Sequence, residues 1–296
     1  MSQDTVELNR MTGLLVIEVR NSNPNGDPDN EGEPRQRAHD QRGLISGVSF
    51  KRKLRDLVEE KGGPVWHALS ADLGITDKAD QFQILESRGR RRDEIKKLSK
   101  KEFQERYWDA RVFGTTFLES LKGDTGIASG DMEHFIRSGA VQFGNGVSVA
   151  PIRIERMTNT NKAGVQEGKD RGMAPLGYRV VEHGVYCMPF FLNPTAAVKS
   201  GCRDIDIKLL KRLLPLTYIH TASHGRPNVE IRHAWLVEHK SPLGSCSDFV
   251  LLDALMPKKR ENPEEPSSSW DEYNSPTTLP EDLKARVNTV ADLVLK

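Results

Sequence analysis

Cysteine is scarce in this sequence: Cys187, Cys202 and Cys246 are the only three in 296 residues. The count is odd and no pair has CxxC spacing, which argues against a disulfide framework, weakly against zinc, and for a reducing compartment. Long apolar runs are missing as well. No uninterrupted stretch approaches the roughly eighteen residues of a membrane span, and the start, MSQDTVELNR, lacks the apolar core of a signal peptide. A soluble, cytoplasmic chain without membrane contact is therefore expected. Neither sign of charge is in excess. Lys and Arg number 43 against 42 Asp and Glu, a formal net charge of +1, so any affinity for a polyanion must reside in local patches. The aromatic-rich signature of a conventional RNA-recognition motif, K/R-G-F/Y-G/A-F-V, is also absent, so base stacking on a sheet is not the expected mode. What remains is 36% apolar residues, enough for a substantial core in one large domain with insertions or in two ordinary ones.

Along the chain, GLLVIEVR reads as a buried strand that ends at an Asn/Pro/Gly cluster. After a long loop, Ser46 fits an N-cap, and Phe50, Leu54, Leu57 and Val58 fall on one stripe of a helix. Residues 65–107 are helical in pattern and heavily charged, with RGRRRDEIKKLSKKE at their centre, and are expected to form an inserted lobe. AVQFGNGVSVAPIRIERM and YRVVEHGVYCMPFF have strand composition. The polar TNTNKAGVQEGKDRGMAPLG between them predicts a long hairpin. DIKLLKRLLPL is a second helix candidate, and VEIRHAWLVEH and DFVLLDAL are further strand candidates. Residues 256–279 read as a Pro/Ser/Glu linker, and 280–296 as a last amphipathic helix.

The loop NSNPNGDPDN admits three readings: a cation loop, a nucleic-acid loop or a solvated turn. Asp27, Asp29, Glu31 and Gly32 occupy positions 1, 3, 5 and 6 of a calcium loop, but position 12, which needs a bidentate Glu, is Ala38. Asn23, Asn25 and Asp27 could instead order the loop through Asx-turns. The helix that follows shifts the balance toward an anion. Lys51 and Arg55 are four residues apart and share one shoulder, while Ser46 and the first N–H groups of the helix can take phosphate oxygens. Arg35 and Arg37 could close over the same path. His220 and His224 have i, i+4 spacing, and Cys187 and Cys202 could complete a tetrahedral set, but the spacing matches no zinc motif. No metal and no other cofactor is expected. His224, Gly225 and Arg226 fit either a nucleic-acid face or a turn. In YWDARVFG, Trp108 and Phe113 are expected in the core rather than on a stacking platform, with Arg111 as a candidate phosphate contact.

In order along the chain, NSNPNGDPDNEGEPR, GLISGVSFKRKLRDLV, YWDARVFG, PIRIERMTNT, GMAPLGYRVVEHGVY and VEIRHAWLVEHKSPLG resemble the motifs of the backbone subunit of type I CRISPR Cascade complexes. This is the Cas-seven family of the RAMP superfamily, with the type I-C and I-B branch the most similar. The resemblance implies an α+β fold: a ferredoxin-like, RRM-like palm over 11–255, a helical fingers insertion at about 61–107 and a protruding β-hairpin thumb at about 139–190. It implies a non-enzymatic subunit that polymerises along CRISPR RNA and leaves the guide to pair with target single-stranded DNA, beside the large, small and repeat-handle subunits. The RNA-binding positions it implies are Ser46, Lys51, Arg52 and Arg55, with Arg35 a looser match. Met157 or Met173 would be the thumb wedge that enters the base stack. An alternative within the superfamily is a metal-dependent ribonuclease of the type III kind, in which Asp27 or Asp29 would be the loop aspartate.

Overall fold

A computed structural model of the chain describes residues 8–87, 95, 98–115, 138–161 and 174–294. Strand β1 (Met11–Ser22) is the apolar run foreseen from the sequence, and its burial explains its composition. Leu15, Ile17 and Val19 enter one core cluster, and Leu14 and Val16 enter another on the opposite face. A strand covered on both faces has no side that favours polar residues, so Leu14–Ile17 is apolar without alternation.

The helices and strands that follow are β2 (Gly26–Asp27), β3 (Glu33–Pro34), β4 (Arg42–Ile45), α1 (Gly47–Glu59), α2 (Pro64–Asp72), α3 (Lys100–Arg106), α4 (Trp108–Phe113), β5 (Val141–Phe143), β6 (Gly146–Pro151), β7 (Ile154–Asn161), β8 (Ala174–Leu192), α5 (Pro194–Ser200), α6 (Asp204–Leu213), β9 (Val229–His239), α7 (Asp248–Leu255), β10 (Lys258–Lys259), β11 (Tyr273–Asn274), α8 (Glu281–Lys284) and β12 (Val287–Asp292). Among the described residues, eight strands form the main sheet in the order β12-β9-β1-β8-β6-β4, with β5 and β7 also on β8. β1 pairs antiparallel with both β8 and β9, and β6 pairs antiparallel with β8. The chain is thus an α/β molecule built on a mainly antiparallel sheet. β8 is 19 residues long. It pairs with β1 from Val181 to Leu192 and with β7 from Ala174 to Val181, so one strand belongs to both the sheet and the outer hairpin arms.

On the first face α1 contributes Phe50, Leu54 and Val58, and α6 contributes Ile207, Leu210 and Leu213. The helical insertion is present in the described part as α2, a 3-10 segment Thr76–Phe82, and α3 with a Ser99–Glu102 capping box. α7 was foreseen as a strand but is a helix, and it sends Leu251, Leu252 and Leu255 onto the second face.

Two expectations for the C-terminal region are corrected. Residues 256–279 are not a free linker. Tyr273 is buried in the second-face cluster, Ser267 is buried beneath it, and β10 pairs with β11. Residues 280–296 do not form one helix. Among the described residues of this segment only Glu281–Lys284 is helical, and Val287–Asp292 pairs antiparallel with β9 at the sheet edge. Leu283, Val287 and Val290 do reach the core, but Val287 and Val290 reach it from a strand.

Candidate nucleic-acid interface

At the end of the sheet where β1 runs out, two loops, the root of a hairpin and one helix start converge. Ser46 is the N-cap of α1: its Oγ accepts from the Ser49 N–H at 3.2 Å, while its own N–H donates to Asn25 Oδ1 at 2.8 Å. The 21–35 loop is therefore tied to the helix start through a single asparagine. Asn23 N–H donates to the Gly225 carbonyl at 2.7 Å, which joins the loop to the turn around 221–226. Asp27 Oδ1 accepts from the Asp29 N–H at 3.3 Å and lies 3.3 Å from Arg35. That is the loop-ordering role weighed for it against metal binding. Glu31 and Gly32 turn the β2–β3 hairpin with φ of 50° and 75°, and Arg179 at the root of the outer hairpin reaches Glu31 at 3.5 Å and Glu33 at 3.6 Å. Tyr178 beside it meets His224 edge to face at 5.3 Å.

Metal readings find no support in this geometry. Among the described residues no group of three or more His, Cys, Asp or Glu side chains could hold an ion. His220 sits in a 3-10 turn, Ile219–Thr221, that ends before His224. Cys187 is buried, with its thiol pushed up to about 12 by burial, and burial raises Cys202 too. Among the described residues no helix is long and apolar enough to cross a membrane.

Residues 9–278 match the family CRISPR-associated protein Cas7. The chain belongs to this family. A CRISPR-associated protein Cas7 of Haloferax volcanii is 23% identical over 227 residues, which cover 70% of this chain and 63% of that relative. The chain thus matches less than two thirds of the relative's length. Three solved structures match with TM-scores below 0.5. A CRISPR RNA-guided surveillance complex chain is 14% identical with a TM-score of 0.42, covering 78% of this chain and 69% of that one. A pre-nicking CRISPR RNA-guided surveillance complex gives 13% and 0.46, with 78% of each chain covered. A Type III-B Cmr-beta bound to cognate target RNA gives 11% and 0.43, covering 78% and 61%.

Within this Cas7-family chain the six arginine, lysine and serine positions expected at the RNA do not act alike. Ser46 stands at the helix start and Arg35 beside the loop, both part-exposed. Lys51 is half-buried, makes no hydrogen bond or ion pair among the described residues, and has its pKa lowered by burial first and by Arg55 second. Arg52 is engaged by Asp56 at 2.8 Å, by Glu59 at 3.3 Å and by the Glu86 carbonyl at 2.6 Å. Arg55 is buried, and its Nε donates to Asp109 at 2.8 Å. Asp109 is fully buried and also accepts the Leu85 and Glu86 N–H groups at 2.7 and 3.2 Å. Burial raises its pKa, opposed by Arg55 and these two donors.

Arg111 is corrected outright. It is 1% exposed, and all five of its N–H donors are in use. Two hold Asp206 at 2.7 and 2.9 Å, and three hold the carbonyls of Gln104, Glu105 and Gln81 at 2.6, 2.8 and 2.9 Å. No donor is left for a phosphate. Trp108 and Phe113 are buried as expected, and the Trp108 Nε1–H donates to the Asp206 carbonyl at 3.2 Å.

Lys53 was not singled out in the sequence, and Arg226 was left between a nucleic-acid face and a turn. At about 100° per residue Lys53 lies on the opposite shoulder of α1 from Lys51. Its Nζ donates to the Ser49 carbonyl and Oγ at 3.2 and 3.0 Å and lies 5.5 Å from the Tyr218 ring. Arg226 follows the Gly225 that anchors the loop, and donates from one terminal nitrogen to the Thr221 carbonyl at 3.2 Å. The available signal was the i, i+4 relation of Ser49 and Lys53, which marks a second polar shoulder. Of the two wedge candidates, Met157 is part-buried on β7 opposite Tyr178, and Met173 lies outside the described residues.

Proposed function

We propose that this chain is the backbone subunit of an RNA-guided surveillance complex. It binds CRISPR RNA, assembles as a homo-oligomeric filament along the guide, and leaves guide bases free to pair with target single-stranded DNA beside the other Cascade subunits. The observation that carries the reading is the match of residues 9–278 to the Cas7 family in a chain whose Ser46 helix start, 21–35 loop, 221–226 turn and hairpin root meet at one end of the sheet. A near-neutral chain with a local cationic cluster suits repeated packing along a polyanion. The order β9-β1-β8-β6, with α1 after β1 and α5 and α6 between β8 and β9, supports a ferredoxin-like palm. The insertion holding α2 and α3 is the proposed fingers, and the β7–β8 arms are the proposed root of the thumb. Asp27, engaged by Arg35 and the Asp29 N–H, favours loop ordering over nuclease chemistry.

Native mass spectrometry over a series of guide lengths tests the assembly. Copy number rises stepwise, one subunit per added interval, and a constant monomer or fixed dimer at every length refutes the filament. Magnesium-dependent cleavage of a guide-complementary RNA that disappears in Asp27→Ala would establish the ribonuclease alternative.

A further inference from the structure

Leu243, Phe249 and Val250 are three of the six large apolar side chains exposed among the described residues, at 95%, 75% and 45%. Apolar residues scattered singly over a surface need no explanation, but three so close in the chain form a patch. α7 supplies two of them. Six of its eight residues are apolar, a pattern that ordinarily belongs to a helix covered on every side. At about 100° per residue Leu251, Leu252 and Leu255 share the inner face, and Phe249, Asp253 and Val250 share the outer one. Burial follows that division: the three leucines enter the second-face core, and the other three residues are exposed.

Leu243 is held out by a locked turn. The Gly244 N–H donates to the Ser241 carbonyl at 3.1 Å, and the Ser241 hydroxyl donates to the Gly244 carbonyl at 3.2 Å. Gly244 has φ of 93°, which glycine adopts at no steric cost. The following N–H, that of Ser245, donates to His239 Nδ1 at 3.0 Å. A backbone N–H can only donate, so this nitrogen is unprotonated and the fully buried His239 is the neutral Nε2–H tautomer. Its Nε2 lies 3.0 Å from Thr12 Oγ1, whose hydroxyl donates to Asp248 at 2.6 Å. Arg10 joins the turn to the helix. Its Nε donates to Asp248 Oδ1 at 3.4 Å, and its Cδ would stand 3.3 Å from a methyl added at Gly244. The turn bearing Leu243 and the helix start bearing Phe249 are thus fixed to one node, and an anchor already ordered loses little entropy on binding.

We propose that Leu243, Phe249 and Val250 form a protein-docking surface whose occupant is a partner protein presenting a helix with an apolar stripe bordered by lysine or arginine. Charge decides between occupants. Asp253 stands between Phe249 and Val250 on the outer face of α7, and from Asp248 to Asp282 nine carboxylate residues stand against three basic ones. Such a surface repels a polyanion and disfavours pairing with the same patch of a second copy. A basic-bordered helix supplies apolar area for the exposed side chains and a counter-charge for Asp253. The patch also lies at the start of β1, beside Arg10 and Thr12, whereas the loops around Ser46 meet at its end, roughly 35 Å away at about 3.3 Å per residue. A partner seated here leaves the proposed RNA path open.

The test is fluorescence anisotropy of two labelled amphipathic peptides titrated with the full chain. Each is a helix of about 18 residues, about five turns, with the same leucine stripe, bordered by lysine in one and by glutamate in the other. Leu243→Ser, Phe249→Ser and Asp253→Asn are compared with the unsubstituted protein, and because all three positions are exposed, thermal melting is expected to be unchanged. The lysine peptide should bind about tenfold more tightly than the glutamate peptide. Leu243→Ser and Phe249→Ser should each weaken it about tenfold, and Asp253→Asn about threefold with a shallower salt dependence. No binding of the lysine peptide, equal affinity for the two peptides, or unchanged affinity in the folded Leu243 and Phe249 variants would overturn the docking surface. Loss of single-stranded RNA binding in these two variants would assign the patch to nucleic acid, and a concentration-dependent dimer of the free chain that disappears in Phe249→Ser, read by sedimentation, would assign it to a second copy; either result overturns the partner named. None of the peptide measurements depends on RNA binding, so a failure of the functional reading leaves them intact.

Discussion

Asp109 and Asp206 fasten the insertion to helices α1 and α6, each through a buried arginine. Asp206 takes Arg111 in a two-point fork, Arg111 holds the Gln81 carbonyl, and Arg203 holds the Gln81 side chain at 2.6 Å. Removing one partner of a buried pair leaves an uncompensated charge and costs about 3–5 kcal/mol. Arg111→Met should therefore lower the urea midpoint sharply, as measured by equilibrium denaturation, whereas a surface phosphate ligand would leave it nearly unchanged. Charged residues inside an apolar run such as YWDARVFG are more readily explained by mutual burial than by exposure, which is the signal that could have placed Arg111 correctly. On the second face, Ser267 Oγ accepts from the Tyr273 hydroxyl at 2.8 Å and lies 2.7 Å from His183 Nδ1, and His183 Nε2 lies 3.2 Å from Glu18. Burial raises the Glu18 pKa, but hydrogen bonds from His183 and Arg20 outweigh it and hold the carboxyl below its usual range. A depressed carboxylate stabilises the fold above its unfolded value and loses that contribution as pH falls through the folded value. Glu18→Gln should thus flatten the decline in stability below about pH 4.5, read from denaturation curves at stepped pH.

At the scale of elements, β1 and α1 were legible because local composition determined them: an apolar run, then a cap and a stripe. The last strand was not. Leu283, Val287 and Val290 recur at i, i+4 and i+7, which satisfies a helix, and the pairing that overrides it comes from Trp235–His239 of β9, far away in the chain. Burial was read correctly and period was not. The 256–279 segment was misread because Pro, Ser and Glu dominate it, although Trp270 and Tyr273 supply the anchoring rings: Arg232 lies 4.9 Å from the Trp270 ring. The candidate site was half legible. Ser46 caps α1 as read from the sequence, but Arg55 is taken up by Asp109, whose position follows only from the fold. Deleting residues 280–296 should remove β12, bare the β9 edge and uncover part of the second-face core. Size-exclusion chromatography with light scattering should then show concentration-dependent association in the absence of RNA.

At the scale of the whole molecule, both faces of the sheet are covered, one by α1 and α6 and the other by α7 and the C-terminal segment. Under the proposed RNA-binding function the sheet surface is closed to bases, in keeping with the missing aromatic signature. The strand that joins the sheet to the hairpin also has a mechanical role. β8 is 19 residues in one element, a span of roughly 60 Å at about 3.3 Å per residue. Its inner half is clamped by β1, β5 and β6, and among the described residues the one strand paired with its outer half is β7. It is a cantilever, and its outer half acts as a ruler: the distance from the sheet to the far end of the arms is fixed by residue number and not by a hinge. Shortening each arm by two residues would draw that end in by about 7 Å while keeping every side chain on its face.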